Sequence, residues 1–246
     1  MRPTSAELVE AMTCYLVTDT GICGGPEAVV RTVLAAVQNG ATFVQVRDPD
    51  LPDDGFLELS RAVVRAVAGR VPVVLNDRVH LVGPAGADGA HIGQGDLPPV
   101  EARAVLGPDA ILGLSVEQRS HVEAANRLPA GTLDYLGIGP VWAQQTKPNA
   151  APPIGPDGLA ELARLNLLPS VAIGGVGGPG RVAPVKPSGA GMAIVSAICG
   201  ADDPGAATAA ILREWQQAGT ASTIPGVPNP TTIPEPVEGL ENEVRP

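Results

Sequence analysis

Short apolar runs recur along this chain, each closing on glycine or a polar residue. They read CYLVTD (14–19), FVQVRD (43–48), PVVLND (72–77), GAHIGQ (89–94), ILGLSV (111–116), YLGIGP (135–140), VAIGG (171–175) and GMAIVS (191–196). The runs are apolar throughout instead of alternating, the pattern of strands buried on both faces. Between most of them lie alanine-rich segments with helical spacing. Val30, Val33, Leu34 and Val37 share one face, and Gly40 suits the position just past a helix end. Pro204 follows a candidate Asp203 cap and opens a helix with Ile211, Leu212 and Trp215 on one face. Residues 99–107 read as a shorter helix, and Arg103 falls on its face. Residues 79–88 are too glycine-rich for more than a short helix, and GPGRVAPVKPSG (178–189) carries prolines where a seventh helix belongs.

Strand then helix, eight times within about 215 residues, predicts parallel strands joined by helical crossovers, and the repeat number fits a compact (β/α)8 barrel. A doubly wound open sheet is the alternative. The barrel takes residues 1–218 as one domain. Residues 219–246 hold six prolines and four glutamates with few large apolar groups, which predicts a disordered or loosely docked tail with no catalytic role.

Charge and cysteine content narrow the partners. A net charge of −10 without a basic stripe argues against nucleic acid, but leaves room for a small anionic ligand held by a local field. Cys14, Cys23 and Cys199 are odd in number, widely spaced and form no CxxC pair, which suits reduced thiols and no metal site. The opening MRPTSAELVEAM lacks an apolar signal core, and no apolar run approaches the roughly 18 residues of a membrane span. A cytoplasmic chain with no membrane partner is expected, with homodimerisation left open.

In a barrel the chemistry sits at the C-terminal strand ends. The stretch VPVVLNDRVH (71–80) builds toward the interior and then ends on Asn76, Asp77 and Arg78. A turn would explain Asn and Asp there; so would a strand aiming a carboxylate. The other strand ends supply Gln45 and Arg47, Gln94 and Asp96, Ser115, Thr146 and Lys147, Gly174 and Gly175, and Val195 and Ser196. Asp77 and Asp96 follow neighbouring strands, so both can reach one cation. Two carboxylates with little else suit Mg²⁺, which keeps waters and takes phosphate oxygens. Arg47 and Lys147 would bind the same phosphates. Lys147 stands out because the chain has 14 arginines and two lysines. Plainer readings compete: Asp77 and Asp96 as solvated loop acids, Ser115 with Gln118 as a helix capping box, and His91 as a packed, hydrogen-bonded residue. GVGGPG (175–180) matches a dinucleotide pattern, but it contains Pro179 and lacks the acidic residue about twenty places on.

Together the stretches VQVRD, LNDR, GADGAHIGQGDLP, LGLSV, DYLGIGPVWAQQTK, VAIGGV and GMAIVSAI, over residues 13–215, resemble the thiamine-phosphate synthase family in order and spacing. The resemblance implies a (β/α)8 barrel that joins hydroxymethylpyrimidine pyrophosphate to a thiazole phosphate and releases pyrophosphate. It implies a dissociative route, in which a pyrimidine cation is captured by the thiazole nitrogen. By the same resemblance Asp77 and Asp96 hold Mg²⁺, while Gln45, Arg47, Asn76 and Lys147 contact the pyrophosphate. Ser115 touches the pyrimidine; Thr146, Gly175, Val195 and Ser196 hold the thiazole phosphate, the last three through backbone groups. Arg47, Lys147 and Ser115 are the implied catalytic residues. Two positions depart from the family pattern: Pro49 replaces the lysine of QxRxK, and Gln144 replaces the first threonine of TxTK. Arg78 is the nearest cation in sequence that could stand in for that lysine. The alternatives are a non-catalytic paralogue that binds thiazole or thiamine phosphate, and a thiazole tautomerase, whose acting histidine is Pro140 here.

Overall fold

The computed structural model describes residues 2–143 and 151–220. Eight parallel strands, β1 (Cys14–Val17), β2 (Phe43–Val46), β3 (Val73–Asn76), β4 (Gly89–Ile92), β5 (Ile111–Val116), β6 (Tyr135–Ile138), β7 (Ser170–Ala172) and β8 (Gly191–Ile194), pair in chain order. β8 returns to β1 with Cys14 opposite Met192 and Leu16 opposite Ile194, so the sheet closes and the open-sheet alternative falls. Each strand lies inside one of the eight apolar runs or overlaps it.

The helices are α1 (Ser5–Ala11), α2 (Thr20–Cys23), α3 (Pro26–Gln38), α4 (Asp53–Val67), α5 (Val82–Ala85), α6 (Pro99–Leu106), α7 (Arg119–Asn126), α8 (Gly155–Leu165), α9 (Ser196–Cys199) and α10 (Pro204–Thr220). α10 begins where expected, because the Asp203 carboxylate accepts from the Ala206 N–H at 2.9 Å. The seventh crossover is a 3₁₀ turn, Ala183–Ser188. Pro184 and Pro187 lack the N–H groups that an α-helix would use there. The expected tail lies outside the described residues from 221 onward, and α10 extends through its first two positions.

Two apolar layers form the core. The outer one packs strands against helices through residues such as Val33, Phe56, Leu75, Leu112, Leu159 and Ile198, all buried. The inner one fills the barrel with Tyr15, Phe43, Val74, Ile111, Tyr135, Val171 and Ala193, and Leu8 of α1 and Met12 just after it join from the N-terminal end of the strands. Gly113 makes this filling fit, since a methyl group at that position would collide with the Tyr135 ring. Beneath the barrel Arg103 does not sit on a free helix face. Its guanidinium bonds the carbonyls of Gly107 (2.8 Å), Ala110 (2.7 Å) and Thr132 (3.1 Å) and pairs with Asp134 at 2.7 Å, while Arg2 takes the other Asp134 oxygen.

Candidate active site

β3 ends on Asn76, and the next residue leaves the strand abruptly. Asp77 has φ 61°, in the left-handed region. That region costs most L-residues roughly 1–2 kcal/mol, less for an aspartate that bonds locally. The Asp77 N–H still donates to the His91 carbonyl at 2.8 Å, extending the β3–β4 pairing by one residue. The Asn76 side-chain amide donates to the Asp77 carboxylate at 2.6 Å. Asp96 is fixed from its own loop, its carboxylate accepting from the Gly93 N–H at 2.7 Å.

The two carboxyls line one cavity and act on each other's ionisation. Desolvation within the cavity, then the hydrogen-bonding and charge influence of Asp96, push Asp77 up to about 7, against the opposing pull of Arg47 and Asn76. The pair offers hard oxygen ligands from two loops, a donor set that fits a divalent cation such as Mg²⁺. Among the described residues no group of three or more His, Cys, Asp or Glu could hold a metal.

A cavity of about 480 Å³ opens above the pair, within the range of small-ligand pockets. Gln45, Arg47, Asn76, Asp77, Gln94, Asp96 and Ser115 all line it, and Val195 closes one side. Seven strand ends predicted to converge therefore include six that meet at this mouth or beside it; the β6 loop is the exception, because Gln144, Thr146 and Lys147 lie outside the described residues. Arg47 is held by backbone and charge together. Its N–H donates to the buried Thr18 hydroxyl at 2.9 Å, and its guanidinium lies 3.6 Å from Asp19.

The floor of the cavity is a hydrogen-bonded chain absent from the sequence-based expectations. The Gln45 amide donates to the Tyr15 hydroxyl (2.8 Å), which pairs with the Tyr135 hydroxyl (2.7 Å). Tyr135 reaches His91 Nδ1 at 2.9 Å, and His91 Nε2 reaches the Ser115 hydroxyl at 2.9 Å. Burial pushes both phenols up, so they stay protonated. His91 is thus the packed, bonded residue expected. The capping reading of Ser115 fails: Ser115 belongs to β5, and α7 starts at Arg119 behind Gln118 without a side-chain cap. Tyr15 and Tyr135 are the chain's two tyrosines, and both sit on strands, which is the one signal that could have marked them.

Arg78 does not stand in for the missing lysine. Its guanidinium bonds the Asp48 carbonyl (3.0 Å) and the Leu51 carbonyl, pairs with Asp53 at 3.0 Å and stacks on Phe56 at 4.2 Å. It clamps the loop that carries Pro49. Pro49 itself lines a second, larger cavity with Arg47, Gly174, Gly175, Val195 and Ser196. Gly175 has φ 70°, and a side chain there would strike Trp142 and Arg181. Among the described residues the N–H groups of Gly175, Ser196 and Ala197 donate to no acceptor.

The family model for thiamine monophosphate synthase matches residues 14–198. A thiamine-phosphate synthase from Psychrobacter sp. is 44% identical over 195 residues, 79% of this chain and 91% of that protein. One from Albidiferax ferrireducens is 40% identical over 198 residues, 80% of this chain and 88% of the relative. Among solved structures, a thiamine phosphate pyrophosphorylase from Pyrococcus furiosus superposes with a TM-score of 0.75 at 28% identity, covering 86% of this chain and 98% of the other. By its sequence, its closed eight-stranded barrel and the length of the match, this chain belongs to the thiamine monophosphate synthase family.

Proposed function

We propose that this chain is an active, Mg²⁺-dependent thiamine-phosphate synthase, a transferase that joins hydroxymethylpyrimidine pyrophosphate to thiazole phosphate with loss of pyrophosphate. The observation that carries the reading is that Asp77, Asp96, Arg47 and Ser115 line one cavity at the C-terminal ends of the strands. Asp77 and Asp96 would hold the Mg²⁺. When bound there, the ion supplies charge neutralisation for the leaving pyrophosphate. Arg47 and Asn76 bind the same group through the fork and the amide, and Lys147 adds a point charge from its loop.

The floor chain holds Ser115 in place for the pyrimidine: Gln45 donates to Tyr15, and the Tyr15, Tyr135, His91 and Ser115 side chains follow in unbroken hydrogen-bond contact. The Ser115 hydroxyl, on the cavity wall, meets a polar edge of the ring. The N–H groups of Gly175 and Ser196, unbonded among the described residues, suit the thiazole phosphate, with Val195 lining the same cavity; the family resemblance adds Thr146 and Gln144 as ligands. No side-chain nucleophile is needed, because the thiazole nitrogen captures the pyrimidine cation.

Pro49 is the observation that favours the second reading, a paralogue that binds these phosphates without turnover. The tautomerase reading has Pro140, not histidine, on the cavity wall. Purified chain with both substrates and Mg²⁺ should form thiamine phosphate; tight thiazole phosphate binding with no product would favour the paralogue. A cytoplasmic setting is consistent with three unpaired cysteines, and among the described residues no helix is long and apolar enough to cross a membrane.

A further inference from the structure

The turn after β7 carries a cation that has no role so far. Arg181 folds back over residues 175–178: its Cδ lies 3.4 Å from where a Cβ at Gly178 would stand, and its Nη1 lies 2.8 Å from the same position at Gly175. The guanidinium therefore covers the Gly175 backbone, in space that only glycine leaves open. The Trp142 ring, 5.7 Å from the guanidinium carbon, adds a cation–π contact. Arg47, Arg78 and Arg103 each face a carboxylate, at Asp19, Asp53 and Asp134. Among the described residues Arg181 pairs with none, although it is half-buried and lines the larger cavity.

The same wall holds the N–H groups of Gly175, Ser196 and Ala197, which bond no acceptor among the described residues. A planar fork of donors above a set of backbone donors, with no acid to neutralise it, is complementary to a dianionic phosphate monoester. Arg181 is absent from the smaller cavity that holds Asp77 and Asp96, so its charge faces the larger cavity and not the acid pair.

We propose that Arg181 is a side-chain ligand of the thiazole phosphate, and that this chain holds the phosphate by a cation as well as by backbone groups. The inference rests on the synthase reading above. Pro49 lines the same cavity, so kinetics distinguish this role from compensation for Pro49: a ligand of the acceptor acts on its KM, while a ligand of the leaving group acts on turnover.

Steady-state kinetics of the full chain test this. Arg181→Ala should raise KM for thiazole phosphate roughly tenfold to a hundredfold, the usual range for a lost charge-assisted bond, and leave KM for the pyrimidine pyrophosphate unchanged. Arg181→Lys should fall between, keeping the charge but not the fork. Arg181→Gln retains the stem if the alanine variant melts early. An unchanged KM for thiazole phosphate, an equal rise in both KM values, or a loss confined to kcat would overturn the proposal. Should the unmutated chain make no thiamine phosphate, the synthase reading fails and calorimetric titration with thiazole phosphate still decides for Arg181. Weaker binding by Arg181→Ala supports the assignment. Equal binding, or none by the unmutated chain, overturns it.

Discussion

Asp77 stores backbone strain and an unfavourable neighbour in one residue. It stands in the left-handed region and lines one cavity with the Asp96 carboxyl, which acts on its ionisation. Its folded-state value of about 7 lies above the ordinary carboxylate range, so the folded chain holds that proton more tightly than the unfolded chain does. The resulting stabilisation is complete below about pH 4 and is lost as pH rises toward 7. Metal-free protein should therefore show a melting temperature that declines across this window through this group, and Asp77→Asn should flatten the decline. Added Mg²⁺ should restore stability at pH 8 and do little at pH 5, where the ligand is protonated. A melting curve insensitive to Asp77→Asn across the window would contradict the coupling. Polar residues at the end of an apolar run made Asp77 legible in the sequence. Arg181 was not legible, because its importance comes from a fold-back over Gly175 inside a segment that reads only as a proline-broken helix.

The strands were readable because each is a continuous apolar run, and a closed parallel barrel buries strands on both sides. The short helix α1 was not anticipated, although its signal is present. Thr4 and Glu7 form a reciprocal capping box, and Leu8 is the helix's buried residue. The loop between β2 and α4 shows a different limit. Its shape depends on Arg78, thirty residues from Asp48, and no local pattern reports such a clamp. Arg78→Ala removes two carbonyl bonds, an ion pair and a ring stack, and should destabilise the chain by on the order of 2 kcal/mol in denaturant unfolding. The exposed Arg31→Ala on α3 is the matched control and should be neutral within about 0.5 kcal/mol. Arg103 cannot serve that purpose, being tied to four partners under the barrel. No loss in Arg78→Ala would mean that the loop holds its shape without the clamp.

At the scale of the molecule, a chain of net charge −10 is assigned two anionic substrates. Local fields reconcile the two: Arg47 and Arg181 line the larger cavity, and Arg47 also lines the smaller one. The C-terminal boundary can be tested at the same scale. α10 reaches Thr220, and Lys186 ties it down by donating to the Trp215 carbonyl at 2.8 Å and lying 4.6 Å from the Trp215 ring. Ending the chain after residue 220 should leave melting temperature and rate nearly unchanged, whereas ending it before Trp215 should lower both. A large loss from the first truncation would show that residues 221–246 dock on the barrel. The account as a whole rests on the acid pair holding Mg²⁺ for turnover. Its most direct test is the rate of thiamine phosphate formation against free Mg²⁺, for the unmutated chain, Asp77→Asn and Asp96→Asn. The rate should vanish with chelator, rise to saturation with Mg²⁺ in the unmutated chain, and stay at least about a hundredfold lower in either folded variant. Full turnover in chelator, or in either variant, would contradict it.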